Sequence, residues 1–329
     1  MKVGVLQFFG WADRKFDLNA VYGRAIERFE IMDREGYDAV WLAEHHFSSF
    51  SVCPSVHMLG TMAAARTKRL RIGTAVSLAP FYHPLRLAEE VALLDVLSGG
   101  RVNWGAGRGF SRGEFVAFGV PAEESTARFR ENVEIVLQAW TQERLSYQGT
   151  HFQCDGVEVL PKPMQRPHPP VWMAATSEGA IDWAASRGFS ILMDPHCTHA
   201  ELAQKRKHYG ERMTVAGHAA EGRDIPMARL IAIADTAERA AEIAARGAGW
   251  MVGSYVGPQH RGVRNQERDL GPDPIARYVN DVIIHGTWQS VVDQVKALQE
   301  IAQLNYLLCA PLSQDSFKQL TEKVLPKLV

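Results

Sequence analysis

A carboxylate and two imidazoles follow directly on an apolar run near the start of the chain. The run 40–43 ends in Glu44, His45 and His46, and a serine-rich loop comes next. Apolar runs of this length are typical of strands buried on both faces, as in parallel sheets. In α/β barrels, polar side chains at the carboxyl ends of such strands carry the chemistry. Acid–base or metal chemistry is therefore one interpretation, and a structural histidine is the commoner one.

Two further strands of the predicted sheet also carry polar side chains near their ends. Thr74 and Ser77 belong to a strand predicted over 70–78, and Arg108 belongs to one predicted over 102–109. Catalysis on a barrel requires polar groups from several strand ends to converge on one cavity. We therefore expect these three side chains to share a face of the fold with the histidine pair.

An anion site is predicted at the start of a later helix. Thr176 and Ser177 open a helix whose free backbone N–H groups and macrodipole favour a negatively charged group. Ser177 could equally be a simple N-cap, which is the commoner role for serine there. Arg108 and Arg128 are the nearest candidate guanidinium partners for a phosphate.

The sequence lacks the residue patterns of several common classes of site: a metal site, a serine-hydrolase site and a dinucleotide-binding loop. His45 and His46 are adjacent on a strand, so their side chains point to opposite faces and only one can enter a cavity. A metal site needs three ligands of compatible geometry, and no other spacing completes one, so we predict no metal. The chain has no G-x-S-x-G motif of a serine hydrolase. The glycines of 105–109 do not match G-x-G-x-x-G, and they more plausibly let a flat ligand or a neighbouring strand approach the backbone.

The elements that must position these residues alternate regularly between strand and helix. Such alternation with short connections is the pattern of a parallel sheet, and eight strand–helix units favour a closed (β/α)8 TIM barrel over an open sheet. The strands are predicted over 3–9, 39–45, 70–78, 102–109, 171–176, 190–194, 228–234 and 305–309. The helices are predicted over 20–34, 56–65, 85–97, 125–140, 177–186, 199–215, 236–246 and 315–327.

Two segments interrupt the alternation within what we predict to be a single domain, 1–329. The first, about 143–170, contains a hairpin over 145–160 and a proline-rich connector, and it follows the fourth unit. The second, about 253–285, is a long irregular loop after strand seven. Loops this long are usually lids or disordered, so a lid over the C-terminal face and a merely flexible insertion are equally good interpretations.

Charge and cysteine usage narrow the class of protein. The 36 basic and 37 acidic residues nearly cancel, which argues against nucleic-acid or membrane-surface binding. The four cysteines form no C-x-x-C pair, so neither a disulfide framework nor a zinc site is indicated. The chain shows no secretory signal and no run long enough to span a membrane. We expect a soluble, cytoplasmic protein.

An ordered set of motifs spans nearly the whole chain, and its combination is more specific than any single piece. The motifs are 41–47, 73–76, the His83-Pro84 pair, Leu93-Leu94-Asp95, 98–101, 105–109, and Ser177 with Trp183-Ala184-Ala185. This set resembles one family, the bacterial luciferase-like, flavin-dependent monooxygenases. The Glu-His-His-Phe form resembles the luciferase and alkanal-oxygenase branch more than the deazaflavin-dependent dehydrogenases.

This resemblance implies a chemistry. The family's barrel binds reduced FMN (FMNH2), which a separate flavin reductase supplies. The flavin reacts with O2 to give a C4a-peroxide that oxygenates a small apolar organic substrate such as an aldehyde or ketone. A homodimer is also implied.

Site residues carry over by position in the motifs. His45 matches the family's active-site histidine, with Glu44 before it. Ala75-Val76 matches a non-prolyl cis peptide packed on the flavin ring, and Arg108 and Ser177 match phosphate or ring contacts. With these we include Thr74, Arg128 and Thr176 as candidates for cofactor binding. An unperturbed imidazole pKa of about 6.5 would suit His45 as a general base or hydrogen-bond partner.

The chain departs from the family pattern at two positions. Gly107 stands near the position of the luciferase reactive cysteine, so light emission is not supported. The first arginine of the usual Ser-Arg-x-Arg-Phe stretch is Thr126 here, which removes one phosphate contact unless Arg128 compensates. Two other functions stay open: a deazaflavin-dependent dehydrogenase of the same superfamily, and a non-catalytic flavin-binding protein.

Overall fold

The structure, a computed structural model, describes residues 1–256 and 271–329. Its strands, numbered in chain order, are β1 (Lys2–Gln7), β2 (Ala39–Leu42), β3 (Arg71–Thr74), β4 (Ser77–Leu78), β5 (Val102–Gly107), β6 (Leu145–Gln148), β7 (Gln153–Val157), β8 (Val171–Ala174), β9 (Ser190–Leu192), β10 (Pro226–Ile233), β11 (Ile284–Gly286) and β12 (Tyr306–Pro311).

The α-helices pack around the sheet. They are α1 (Leu18–Glu35), α2 (Val56–Arg66), α3 (Pro84–Ser98), α4 (Arg112–Ala117), α5 (Ser125–Thr141), α6 (Glu178–Ser186), α7 (His199–Val215), α8 (Ala237–Met251), α9 (Pro274–Arg277), α10 (Trp288–Ala302) and α11 (Gln314–Gln319). Within the described ranges, no helix has both the length and the apolar character needed to cross a membrane.

Eight parallel strands form a closed barrel. The hydrogen-bonded order runs β10-β12-β1-β2-β3-β5-β8-β9. The ring closes between its first and last strands, because the Met193 amide donates to the Pro226 carbonyl (2.9 Å) and the Ala228 amide to the Met193 carbonyl (3.0 Å). The predicted (β/α)8 barrel is confirmed.

The hairpin lies where it was predicted. β6 and β7 pair antiparallel, and their turn is fixed by one carboxylate of α5. Glu131 accepts hydrogen bonds from the backbone amides of Thr150 (2.9 Å), His151 (3.0 Å) and Phe152 (3.2 Å). Three backbone amides of the turn, which would otherwise need water, are therefore hydrogen-bonded to a side chain of α5.

Several predicted boundaries were wrong. The strand predicted over 70–78 is broken at Ala75-Val76, so that β3 and β4 are separate. The last helix changes after Gln319 to a π-helical turn, Leu320–Val324. α8 continues past Arg246 to Met251. Within it, Gly247 lets the helix approach the chain after β12, because a Cβ there would lie 2.6 Å from the Leu312 side chain.

The irregular segment predicted over 253–285 contains more order than expected. A π-helical turn, α9 and β11 fall within it, and the prediction also missed α10, which follows it. β11 pairs with the end of β10 through Ile231–Ile233. Residues 257–270, which form part of the suggested lid, lie outside the described residues.

Aromatic side chains fill part of the barrel interior. Trp41 is fully buried, and its indole N–H donates to the Tyr306 hydroxyl (3.1 Å). Trp172 meets it edge-on, with ring centroids 5.3 Å apart. The indole fits only because β3 carries Gly73, where a Cβ would lie 2.2 Å from the Trp41 ring.

Gly73→Ala is therefore expected to destabilise the barrel. The added methyl forces Trp41 off its position, and overpacking of this kind costs about 1–3 kcal/mol. Gly23→Ala is the matched control, because nothing lies within 4 Å of its new Cβ; it should gain about 0.5–1 kcal/mol, since alanine favours the helix. Chemical denaturation measures both free energies of unfolding, and a Gly73→Ala protein as stable as the parent would contradict this packing.

Candidate functional site

The segment after β3 lies at the barrel mouth, between β2 and β5. The Ala75 amide donates to the Leu42 carbonyl (2.7 Å), and the Ala75-Val76 peptide is cis, as the resemblance implied. A Cβ on Gly107 would come within 2.3 Å of the Val76 side chain and 3.4 Å of Ala174. Val76 therefore fills the space beside residue 107, which explains physically why glycine stands there.

Thr74 supports this segment from behind. Its fully buried hydroxyl donates to the Gly105 carbonyl (2.7 Å) and accepts from the Gly105 amide (2.9 Å). A Cβ on Gly105 would lie 2.0 Å from the Thr74 carbonyl oxygen. The threonine thus joins β3 to β5, with its hydroxyl used in the barrel wall.

The His45 ring lies with the inner aromatic side chains of the barrel mouth. Its backbone amide donates to the Cys53 carbonyl (3.0 Å). The ring stacks on Phe8 at 6.3 Å between centroids and meets Phe50 edge-on at 5.2 Å. Phe8 and Phe50 pack in the same hydrophobic cluster as Ala75 and Val76, so His45 and the cis peptide share one mouth.

The environment of His45 changes its acid–base character. His45 is half-buried as a residue. Burial of the ionisable group, and next the neighbouring His46, lower its pKa to about 3. The expected pKa of about 6.5 was therefore wrong. The imidazole is neutral around pH 7 and can donate or accept one hydrogen bond per ring nitrogen.

Glu44 points the other way, toward the helices outside the barrel. Its buried carboxylate accepts from the Leu78 amide (3.3 Å) and the Tyr82 hydroxyl (3.0 Å), and it bonds the His46 ring (3.0 Å). Burial, followed by the nearby Glu44, raises the pKa of Tyr82. The His46 amide in turn donates to buried Glu114 (3.0 Å), whose pKa is raised by burial. Glu44 thereby fixes β4.

A second polar chain, which the sequence did not reveal, holds the same strand. The His57 ring bonds the buried Ser77 hydroxyl (3.0 Å) through Nε2 and the Glu90 carboxylate (2.9 Å) through Nδ1. His57 lies on α2 and Glu90 on α3, so only the packing of the two helices brings them together. The hydrogen bond from His57, and a further one from Arg86, lower the pKa of Glu90 to about 2.

The shift at Glu90 predicts a pH dependence of stability. Its folded-state pKa lies below the ordinary value of 4.5, so its contribution is complete above about pH 4.5 and is lost as the pH falls toward 2. The advantage of the parent over Glu90→Gln in free energy of unfolding should therefore be larger at about pH 6 than at about pH 3. Glu89→Gln, on the same helix, is the control. An advantage that is independent of pH would contradict the linkage.

Arg108 and the start of α6 adjoin at the barrel mouth. β5 and β8 pair in register from Trp104↔Val171 to Ala106↔Met173, which brings the residues after each strand side by side. The Arg108 guanidinium donates to the Ser125 hydroxyl (3.2 Å). Exposed Ser177 caps α6 through the Ala180 amide (3.4 Å). A guanidinium, two hydroxyls and a helix N-terminus suit a phosphate.

Arg128 lies on the hairpin side of α5. Its guanidinium pairs with Glu124 (2.8 Å) and lies 6.0 Å from the centre of the Phe152 ring. These contacts direct it toward the hairpin, so its proposed compensation for Thr126 stays a prediction.

A cavity of about 310 Å³ opens beside His45's aromatic partners. Phe8, Phe50, Leu230, Trp250 and Leu312 form much of its apolar wall. Within residues 1–256 and 271–329, no group of three or more acidic, histidine or cysteine side chains could hold a metal ion.

The fold is a parallel α/β barrel, and apolar side chains form much of the lining at its mouth. Residues 1–303 match the family model described as luciferase-like monooxygenase. The chain belongs to this family.

Curated relatives include two classes of named monooxygenase. The oxygenase component of flavin-dependent trigonelline monooxygenase from Acinetobacter baylyi is 28% identical over 302 residues, or 87% of this chain and 82% of the relative. The alkanal monooxygenase alpha chain of Aliivibrio fischeri is 30% identical over 210 residues, 64% of this chain and 59% of that one. Against the uncharacterized protein y4wF of Sinorhizobium fredii, identity is 40% over 170 residues, and the chain spans about half of that relative's length (50%).

Solved structures show the same fold. Monooxygenase RslO1 from Streptomyces bottropensis superimposes with a TM-score of 0.87 at 24% identity, and all of both chains is covered. The oxygenating constituent of 3,6-diketocamphane monooxygenase from Pseudomonas putida, solved with FMN, gives 0.82 at 20% identity, covering 100% of this chain and 99% of that one.

Proposed function

We propose that this chain is the oxygenase component of a two-component monooxygenase, which uses FMNH2 from a separate flavin reductase and O2 to oxygenate a small apolar organic molecule. One observation carries the proposal: the Ala75-Val76 segment, the His45 ring and the residues that follow β5 and β8, among them Arg108, lie at the same barrel mouth. The family membership and the printed name of the trigonelline enzyme, an oxygenase component, support it.

The residues present fit a flavin mononucleotide. Arg108, Thr176 and the amides that open α6 suit its phosphate. The half-buried Ala75 and Val76 offer a small apolar surface suited to a flat ring system, and Gly107 keeps the neighbouring strand close to them. Bound reduced FMN would supply the electrons with which O2 becomes an oxygenating agent.

The chain's own residues then perform three tasks. Phe8 and Phe50 exclude water from the mouth, which strengthens every polar contact made there. The neutral imidazole of His45 holds or accepts a hydrogen bond at the reacting centre without carrying charge. Glu44, directed away from the mouth, acts as a positioning residue by fixing β4 through the Leu78 amide.

The phosphate assignment predicts a selective loss of affinity. Arg108→Ala should weaken the binding of reduced FMN by about 10- to 100-fold, because hydrogen bonds to charged groups are worth about 1.5–3 kcal/mol. Riboflavin lacks the phosphate, so its affinity should stay within about twofold. Anaerobic fluorescence titration measures both, and Arg66→Ala, on the far side of the barrel, is the control. Equal losses for the two ligands would contradict the assignment.

The assignment of His45 predicts how activity responds to substitution. With excess reduced FMN and O2, His45→Ala should lower the rate of product formation by about 10²- to 10⁴-fold. His45→Asn should recover part of it, because an amide can replace a neutral hydrogen-bond partner but cannot act as a titrating base. If His45 is neutral throughout the working range, the pH profile of the parent's rate should have no break near pH 6.5 that can be assigned to His45. The profiles of the parent and of His45→Asn should therefore have the same shape around that pH.

His208→Ala is the control, since this histidine bonds Asp182 on the surface between α6 and α7. An unchanged product yield in His45→Ala, at several substrate concentrations, would exclude the proposed role.

The runner-up is a deazaflavin-dependent dehydrogenase, because an F420-dependent secondary alcohol dehydrogenase shares the fold with a TM-score of 0.80 at 17% identity. Anaerobic turnover with that cofactor would favour it. A non-catalytic flavin-binding protein would bind oxidised FMN tightly and form no oxygen-dependent product. The homodimer and the cytoplasmic location stay predictions.

A further inference from the structure

The cavity beside His45 has two chemically different ends. Its inner wall is apolar, and its outer end reaches α1, where Arg24 and Arg28 line it. Among the described residues that line it there is no aspartate or glutamate. The polar atoms of this end come from two arginines, Ser313 and the amides of Gln7 and Gln314.

Arg28 is held in place by neutral groups. Its Nε and Nη2 donate to the side-chain oxygen of Gln314 (2.9 and 2.7 Å), and Nη1 donates to that of Gln7 (3.5 Å). The guanidinium lies 4.7 Å from the centre of the Phe317 ring. Among the described residues, Arg28 forms no ion pair with a carboxylate within 4.0 Å, and the attraction of Glu27 is the weakest of the effects on the Arg28 pKa.

A second cation increases the unbalanced charge. Arg24 lies one helical turn before Arg28, and like charges at this spacing repel each other. Burial, and next the charge of Arg24, lower the pKa of Arg28 to about 10, so it stays charged at neutral pH. Buried or partly buried charges are normally paired. A charge that is oriented by amide oxygens and has no counter-ion in the described part of the chain is suited to a ligand's anion.

We propose that this cavity is the substrate site and that it takes an apolar organic molecule with a carboxylate head group. The carboxylate binds the planar guanidinium of Arg28, with Arg24 at the entrance. The apolar body lies against Phe8, Phe50 and Trp250, beside the ring of His45. This inference rests on the proposed function, and it changes the expected substrate from a purely apolar molecule to an amphipathic one.

Binding of octanoate and 1-octanol to the purified protein, measured by calorimetry without flavin or O2, tests the proposal. The two probes have the same chain and differ in charge. Octanoate should bind the parent more tightly than 1-octanol, and added salt should weaken octanoate alone. Arg28→Met keeps the length of the side chain and removes the charge, so octanoate affinity should fall by about 10- to 100-fold while 1-octanol affinity stays within about twofold.

Arg24→Gln provides a second variant that does not disturb a buried group, and it should weaken octanoate by a smaller factor. Arg34→Met, an exposed arginine later on the same helix, is the matched control and should leave both affinities unchanged. Reduced FMN should bind Arg28→Met and the parent equally, which separates this site from the phosphate edge.

Three results would overturn the proposal. In the first, octanoate would bind no more tightly than 1-octanol, and in the second, it would fail to bind at millimolar concentration. In the third, Arg28→Met would weaken the binding of both probes together. Because the assay needs neither cofactor nor oxygen, its outcome is independent of whether the protein oxygenates anything. Normal octanoate binding in a protein that forms no oxygenated product would contradict the proposed function alone.

Discussion

The buried carboxylate of Glu44 is the interaction on which the barrel mouth depends. It accepts from the Leu78 amide and the Tyr82 hydroxyl on one side of the segment that follows β3. The Glu90–His57–Ser77 chain holds the same segment from the helix layer. An unpaired buried carboxylate would cost several kcal/mol, so burial of Glu44 requires partners of this kind. They fix the surface against which a flat cofactor can lie.

The acidic and the basic side chains around the barrel mouth lie at different places. The buried acids Glu44 and Glu114 lie outside the barrel wall and serve structure. The cations lie at two separate places, Arg108 beside the start of α6 and Arg28 on α1. Between them the lining is apolar, and the lowered pKa of His45 keeps its ring neutral. In the proposed account, Arg108 would bind the anionic group of the cofactor and Arg28 that of the substrate.

Much of the barrel follows from local sequence, because the barrel strands are mostly apolar runs between recognisable turns and many of the helices, such as α1, α2 and α7, begin at a capping side chain. His45 and Arg108 could be predicted for the same reason: they end strands whose carboxyl ends must meet. The roles of Arg28 and His57 could not be predicted, since they depend on contacts between elements that are distant in sequence. β11 was missed because three residues within an irregular segment carry too little periodicity, and the lowered pKa of His45 needed the surrounding protein to be known.

The most direct test of the account is a crystal structure of the protein soaked anaerobically with reduced FMN. We expect the phosphate within hydrogen-bonding distance of Arg108 and the α6 amides, the ring against Ala75 and Val76, and the His45 imidazole facing the same space. The cavity that Arg28 lines should stay free for substrate. A flavin whose phosphate lies on Arg28, or whose ring lies away from Ala75-Val76, would contradict the account.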